Sequence, residues 1–186
     1  MRATIRGPLM ATIVTLDGVT PRIGADVYLA PTATLIGDVQ IGDRANVWFG
    51  AVLRGDAARI EVGEETSIQD NVVIHCAHEL PTIVGARVTV GHSALLEGCV
   101  IEDASLIGMG AVVLQHARVG TGSLIAAGAV VSERMQIPPG VLAAGVPARV
   151  KKELSGSSQR WLELAADEYQ ARRRLFLSSS TVQTTD

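Results

Sequence analysis

Three side chains, His75, His92 and Glu97, have the chemistry needed to bind a divalent metal ion. Imidazole and carboxylate groups are common zinc ligands, and two histidines with one glutamate form a known catalytic zinc set. Arg54 and Asp70 precede them in the chain. A bound metal could activate a water molecule, and the Arg54 guanidinium could help to place an anion. Whether these groups meet depends on the elements that carry them.

A six-residue repeat runs through most of the chain. The repeated positions hold small aliphatic residues: Ile23, Leu29, Leu35, Ile41, Val47, Leu53, then Val62, Ile68, Ile74, then Val84, Val90, Leu96, and finally Ile101, Ile107, Val113, Val119, Ile125 and Val131. This period suits neither an α-helix nor a long alternating strand. It predicts short strands joined by turns, with one inward aliphatic side chain each and about 18 residues in every triangular coil. We therefore predict an all-β solenoid of stacked parallel strands.

The repeat also predicts which polar side chains lie above one another. Residues at equivalent places in successive coils should be separated by about 4.8 Å. Arg54, His75 and Glu97 each follow an inward aliphatic residue, one coil apart, and should form a column on one side of the solenoid. Asp70 and His92 should form a second column on another side. A metal bound by both columns would then require a neighbouring chain, as three-fold symmetry would provide.

Each column also has a purely structural interpretation. A histidine stacked on a glutamate is a common ion pair, and Arg54 could pair with Asp56 for the same reason. Gln69 and Asp70 could cap a turn. The repeat alone does not decide between these interpretations and a metal site.

The repeat is interrupted after Leu53, Ile74 and Leu96, where we expect loops or tightened corners. Beyond it, helical spacing of Trp161, Leu164, Ala165, Tyr169, Arg172 and Leu175 predicts a C-terminal α-helix that covers part of the solenoid. We divide the chain into an N-terminal leader and first strand (1–19), the β-helix (20–150), the C-terminal helix (151–177) and a disordered tail (178–186). Residues 1–9 precede Met10, a second candidate start, and we expect them to be a dispensable leader.

Composition narrows the functional classes. A formal net charge of −3 gives no reason to expect binding to nucleic acid or to an anionic membrane. Two cysteines do not make a disulfide framework, and the sequence has no long apolar run or signal peptide. We therefore expect a cytoplasmic protein.

The segment NVWFGAVLRGDAARIEVGEETSIQDNVVIHC, followed by VTVGHSALLEGC and LIGMGAVV, closely resembles the γ-class carbonic anhydrase family. The likeness covers about residues 20–150. It implies a left-handed parallel β-helix, a homotrimer and a metal ion, most often Zn2+ but also Fe2+ or Co2+. In this family three histidines bind the metal, two from one subunit and one from its neighbour.

The resemblance assigns roles to individual residues. His75 matches the first metal ligand, and His92 matches the ligand donated across the interface. Glu97 stands where the family has its third histidine. Arg54 and Asp56 match an interface pair, Gln69 and Asp70 match residues that orient metal-bound water and bicarbonate, and Tyr169 resembles a helix tyrosine near the site.

These assignments imply reversible hydration of CO2 to bicarbonate. Because the Glu97 carboxylate cancels one positive charge of the metal, we expect this activity to be weak or absent. One alternative is a hexapeptide-repeat acyltransferase or acyl-CoA thioesterase. Another is a non-enzymatic trimer that binds a metal or another ligand.

Overall fold

A computed structural model describes residues 10–179. The expected leader (1–9) and residues 180–186 of the expected tail lie outside the described residues. The strands in chain order are β1 (Thr12–Val14), β2 (Arg22–Ile23), β3 (Tyr28–Leu29), β4 (Thr34–Ile41), β5 (Asn46–Val47), β6 (Val52–Val62), β7 (Ser67–Ile68), β8 (Val73–His75), β9 (Thr82–Val84), β10 (Thr89–Val90), β11 (Leu95–Glu97), β12 (Val100–Ile101), β13 (Leu106–Ile107), β14 (Val112–Val113), β15 (Arg118–Val119), β16 (Leu124–Ile125), β17 (Val130–Val131), β18 (Gln136–Ile137), β19 (Val141–Ala144) and β20 (Arg149–Glu153). One helix, α1, spans Ser157–Ser179.

The strands form a left-handed parallel β-helix of about seven coils, as the repeat and the resemblance predicted. Its three faces are defined by strand pairing. Face 1 contains β1, β8, β11, β14 and β17, and face 2 contains β2, β9, β12, β15 and β18. The long strands β4 and β6 pass round the corner between these two faces. Face 3 contains β3, β5, β7, β10, β13, β16 and β19, with β20 added antiparallel at its end.

The core is the column of aliphatic side chains inside the coils. Every predicted inward position from Leu35 to Val131 is buried. Ile23 was also expected to point inward, but it is 38% exposed, and Leu29 is half-buried. Both lie in the first coil, where β2 and β3 each pair on one side only, so none of the described coils covers their other side.

The interruptions of the repeat have three different structures. After Leu53, the extra residues bulge out of β6, because the pairing with β4 shifts between Gly37 and Val39. After Ile74, they form a turn closed by a bridge between Ala77 and Leu80. After Leu96, the chain is one residue short and turns tightly at Gly98, whose φ is +56°. A side chain at Gly98 would place its Cβ 2.6 Å from the Leu80 side chain.

Helix α1 lies along face 3, but with a different face inward from the one we predicted. Trp161, Leu164 and Leu175 are more than half exposed. Of the other predicted positions, Ala165 is buried and Tyr169 is half-buried, and the remaining buried residues are Leu162, Ala166, Gln170 and Arg173. Spacing alone favoured the aromatic and leucine positions, whereas the actual contacts include hydrogen bonds from Gln170 and Arg173 to the solenoid backbone. Residues 151–153, which we assigned to the helical segment, belong to β20. No helix within residues 10–179 is both long and apolar enough to cross a lipid bilayer.

Candidate metal centre

The first column lies at the corner between faces 1 and 2. Strands β6, β8 and β11 are neighbours in register, so that Arg54 pairs with His75 and His75 with Glu97. The inward partners beside them, Leu53, Ile74 and Leu96, have no exposed surface. The rigid core of the coil thus holds the three polar side chains outward on consecutive strands, as the repeat predicted.

His75 lies between two carboxylates. Its Nε2 is 2.8 Å from Oδ1 of Asp56, and its Nδ1 is 3.4 Å from Oε1 of Glu97. Asp56 reaches His75 because it lies on the bulge of β6, and its other oxygen accepts a hydrogen bond from Arg54. Burial raises the pKa of Asp56, but hydrogen bonds from His75 and Arg54 outweigh that effect and hold its pKa below the ordinary value. Asp56 therefore remains an anionic acceptor for the Nε2–H group of His75.

This arrangement fits a metal ion. Two ligand atoms bound tetrahedrally at typical zinc distances are separated by about 3.4 Å, and the Nδ1 of His75 and Oε1 of Glu97 are 3.4 Å apart. Metal-binding histidines commonly donate their second N–H to a carboxylate, which fixes the tautomer. Asp56 occupies that position. At 2.8 Å it is at hydrogen-bond distance from His75, too close for both atoms to share one ion tetrahedrally.

A second combination of possible ligands is Asp56, His75 and Cys76, whose ligand atoms lie within 4.8 Å of one another. We favour the His75–Glu97 pair for two reasons. Cys76 is fully buried inside the coil. Its sulfur is also engaged, since it accepts a hydrogen bond from the Ala58 N–H at 3.1 Å and donates to the Arg54 carbonyl at 3.7 Å. Sequence analysis did not include Cys76 among the possible ligands; its position directly after His75 was the signal that could have pointed to it.

The second column lies at the corner between faces 3 and 1, in the turns that follow β7 and β10. Asp70 Oδ2 is 2.8 Å from Nδ1 of His92, and Gln69 Oε1 accepts a hydrogen bond from the His92 backbone N–H at 3.1 Å. Asp70 also accepts the N–H of Phe49 at 3.2 Å. A carboxylate thus holds one ring nitrogen of each histidine, Nδ1 in His92 and Nε2 in His75.

Tyr169 reaches this second corner from α1. Its hydroxyl is 3.4 Å from Nε2 of His92. Burial raises the pKa of Tyr169 above its ordinary value, so the phenol stays protonated at neutral pH. The helix is held in place by ring contacts of Phe176 with Tyr28 and Trp48, and by hydrogen bonds from Gln170 to the carbonyls of Arg44 and Glu65.

The structure therefore brings the site residues together in two groups. Arg54, Asp56, His75 and Glu97 form one group; Gln69, Asp70, His92 and Tyr169 form the other. The groups lie at different corners of the triangular cross-section, at opposite edges of face 1. Within residues 10–179, the cluster of three possible metal ligands around His75 consists of Asp56, His75 and Cys76, and it includes neither Glu97 nor His92.

The six-residue repeat and the parallel strand pairing define a left-handed β-helix built from hexapeptide repeats. The family model described as bacterial transferase hexapeptide (six repeats) matches residues 20–55 and 98–133. A carbonic anhydrase from Geobacillus kaustophilus is 46% identical over 152 residues, which cover 82% of this chain and 84% of that protein. The chain therefore belongs to the γ-class carbonic anhydrase-like family of hexapeptide-repeat proteins, as its motifs indicated.

Two further relatives show the range of this family. The mitochondrial gamma carbonic anhydrase 2 of Arabidopsis thaliana is 40% identical over 170 residues, which cover 85% of this chain but only 59% of that longer protein. The crystal structure of a hexapeptide transferase family protein from Anaplasma phagocytophilum has a TM-score of 0.85 and 38% identity, covering 89% of this chain and 98% of that one. The names of the relatives thus include both a lyase and a transferase.

Proposed function

We propose that this protein is a γ-carbonic anhydrase-like metalloprotein whose metal is shared between the subunits of a homotrimer. His75 and Glu97 of one subunit and His92 of the next would bind the ion. The observation that carries the proposal is the separation of 3.4 Å between the His75 and Glu97 ligand atoms, with the other His75 nitrogen on Asp56. His92 is oriented in the same way by Asp70.

The surfaces of the three faces support a trimer. Helix α1 covers the N-terminal half of face 3, where the outward residues of β3, β5, β7 and β10 are buried. The outward residues of face 2 are mostly polar or charged, and include Arg22, Gln40, Glu61, Arg118 and Gln136. Face 1 instead carries an outward ladder of mostly aliphatic side chains: Thr34, Val52, Val73, Leu95, Val112 and Val130. Val73 is 40% exposed and Leu95 37% exposed in the single chain. Face 1 is therefore the face best suited to an interface.

Three-fold symmetry would join the two columns. If each subunit turns face 1 toward the symmetry axis, the corner at one edge of that face meets the opposite corner of the next subunit. The first edge carries His92 and the second carries His75 and Glu97. A ring of three chains would thus complete three equivalent sites, without any change of fold within a chain.

When bound, a zinc ion at such a site would supply hydroxide near neutral pH for addition to CO2. The residues of this chain would prepare the site. Asp56 holds Nε2 of His75 and Asp70 holds Nδ1 of His92, Gln69 would orient a water molecule, and the Arg54 guanidinium would attract bicarbonate. Glu97 adds a negative charge, which lowers the acidity of bound water and should make hydration slow. The same two-histidine, one-carboxylate set also suits Fe2+.

Acyl transfer is the second candidate function. It is favoured by the hexapeptide transferase name of the structural relative from Anaplasma phagocytophilum and by a groove beside His92. In that case His92 would act as the base and metal would not be required. Turnover of acyl-CoA by metal-free protein, without hydration of CO2, would support this candidate; binding of metal without either activity would indicate a non-enzymatic trimer.

Metal content tests the ligands directly. We expect His75→Ala and His92→Ala to lose most of the metal that the unaltered protein retains in elemental analysis, while circular dichroism shows an intact solenoid. His78→Ala, an exposed histidine in the Ala77–Leu80 turn, is the matched control and should retain the metal. Full metal content in either of the first two variants would show that the assigned ligand is wrong.

Glu97→His tests the activity. The side chain faces outward, so the fold should tolerate the change, and the site gains one unit of positive charge. At matched metal occupancy, stopped-flow measurement should show faster hydration of CO2 at neutral pH than in the unaltered protein. A fully loaded variant that gains no activity would place the carbonic anhydrase function below acyl transfer and simple binding.

A further inference from the structure

A groove of about 400 Å³ lies between α1 and the C-terminal half of face 3. Its floor includes Leu106 and Leu124 on neighbouring strands, and its rim includes Met109 and Trp161. Met109 and Trp161 are 59% and 58% exposed in the single chain. One end of the groove reaches His92 and Tyr169. The groove is far larger than CO2 or bicarbonate requires.

A buried threonine side chain lines this groove. Thr89 lies on face 3 with its side chain outward, toward α1, and is only 4% exposed. Among the described residues, its Oγ1 has no hydrogen-bond partner. A buried hydroxyl without a partner is unfavourable, so the site gains most from a ligand that presents a hydrogen-bonding group there.

The charged residues at the groove neutralise each other. Glu168 and Arg172 lie one helical turn apart and form an ion pair. Nδ1 of His92 is 2.8 Å from the Asp70 carboxylate. The groove therefore combines an apolar floor with one hydroxyl that lacks a partner and no unpaired charge among its described residues. Such a lining favours a neutral ligand over an anion, because an anion would lose its hydration without gaining a free cation.

We propose that this groove binds a neutral, largely aliphatic small molecule that carries one carbonyl or amide group. The Thr89 hydroxyl donates a hydrogen bond to the carbonyl oxygen, and the aliphatic part packs along Leu106, Leu124 and Trp161. This ligand class lies beyond CO2 and bicarbonate. The groove is formed by a single chain, so its occupancy does not depend on the metal.

Hexanamide and its anionic counterpart hexanoate are suitable probes, titrated into the full chain and followed by calorimetry and ligand-observed NMR. We expect hexanamide to bind with millimolar affinity and hexanoate about tenfold more weakly. Thr89→Val replaces the hydroxyl by a methyl group and should weaken hexanamide binding about fivefold. Ala127→Trp adds bulk at an exposed position of the groove and should abolish binding, whereas Ala171→Trp, on the solvent side of α1, should not.

Any of four results would overturn the proposal. Failure of hexanamide to bind the unaltered protein would remove the site. Equal affinity of the Ala127→Trp and Ala171→Trp variants would place binding outside the groove. Tighter binding of hexanoate, or unchanged affinity in Thr89→Val, would show that the ligand class is wrong. Each variant is first compared with the unaltered protein by circular dichroism, and Thr89→Val is close to isosteric, so loss of fold does not obscure the outcome.

Discussion

Replacing Asp56 by Asn should weaken metal binding without removing a ligand. Asparagine keeps the size of the side chain but loses its charge, and charge-assisted hydrogen bonds are roughly twice as strong as neutral ones. Substitutions of groups that orient metal ligands typically cost about 10- to 100-fold in metal affinity. The Asp56 side chain is 28% exposed, so water partly replaces its effect and we expect the lower limit, about tenfold, or about 1.4 kcal/mol.

Arg54 acts in the same direction as the lost hydrogen bond. In Asp56→Asn, Arg54 loses its anionic partner, and its uncompensated positive charge also disfavours a nearby metal cation. The affinity is measured by competition with a zinc chelator. Glu61→Gln is the matched control, because it removes the carboxylate of another surface pair, 2.7 Å from Arg59, and should leave the affinity unchanged.

Nitrogen-15 NMR supplies a second, independent measurement on Asp56→Asn. In the unaltered protein the His75 signals should show a proton on Nε2, the nitrogen that faces Asp56. The variant should show a mixture of the two tautomers. If Asp56→Asn and Glu61→Gln bind zinc equally well, and the His75 tautomer is unchanged, the orienting role of Asp56 is refuted.

Three further predictions concern assembly and stability. Leu95→Glu puts a carboxylate into the apolar ladder of face 1 and should give monomers in light scattering; a persisting trimer would contradict the proposed interface. Ile74→Ala removes a fully buried side chain and should lower the free energy of unfolding in urea by about 2–5 kcal/mol, so a loss below about 1 kcal/mol would argue against tight packing of the coil. The pKa of Glu65 is lowered mainly by the hydrogen bond from Arg44, and the pKa of Glu102 mainly by the hydrogen bond from Thr121. Because both pKa values are lowered in the folded protein, the stability that these groups add is present at neutral pH and is lost as the pH falls below about 4. Stability that is unchanged down to about pH 3 in urea titrations would contradict this last prediction.

The repeat predicted the fold because its physical cause is local. One aliphatic side chain in every six residues must point into the core, so spacing alone determines which side chains point inward and which stack outward. The column of Arg54, His75 and Glu97 followed directly from that rule, and the strand register confirms it. Ile23 departs from the rule because, in the part of the chain that the structure describes, the first coil is covered on one side only.

The contacts that the repeat could not predict come from its interruptions and from α1. Asp56 reaches His75 only because the extra residues of β6 bulge outward, and no period describes a bulge. Tyr169 and the groove beside Thr89 depend on how the helix lies across face 3. That orientation is determined by contacts of Gln170, Arg173 and Phe176 with distant coils, which helical spacing does not reveal.

A metal site shared between subunits is the central claim, and mixed trimers test it most directly. His75→Ala and His92→Ala subunits are co-expressed in equal amounts, and the metal content of the purified trimers is measured. Each variant alone should bind little metal. In a random mixture, a site is intact when one subunit keeps His75 and the next keeps His92, which holds for about one quarter of sites. Recovery of about one quarter of the metal content of the unaltered protein would support the shared site. A mixture that binds no more metal than either variant alone would contradict it.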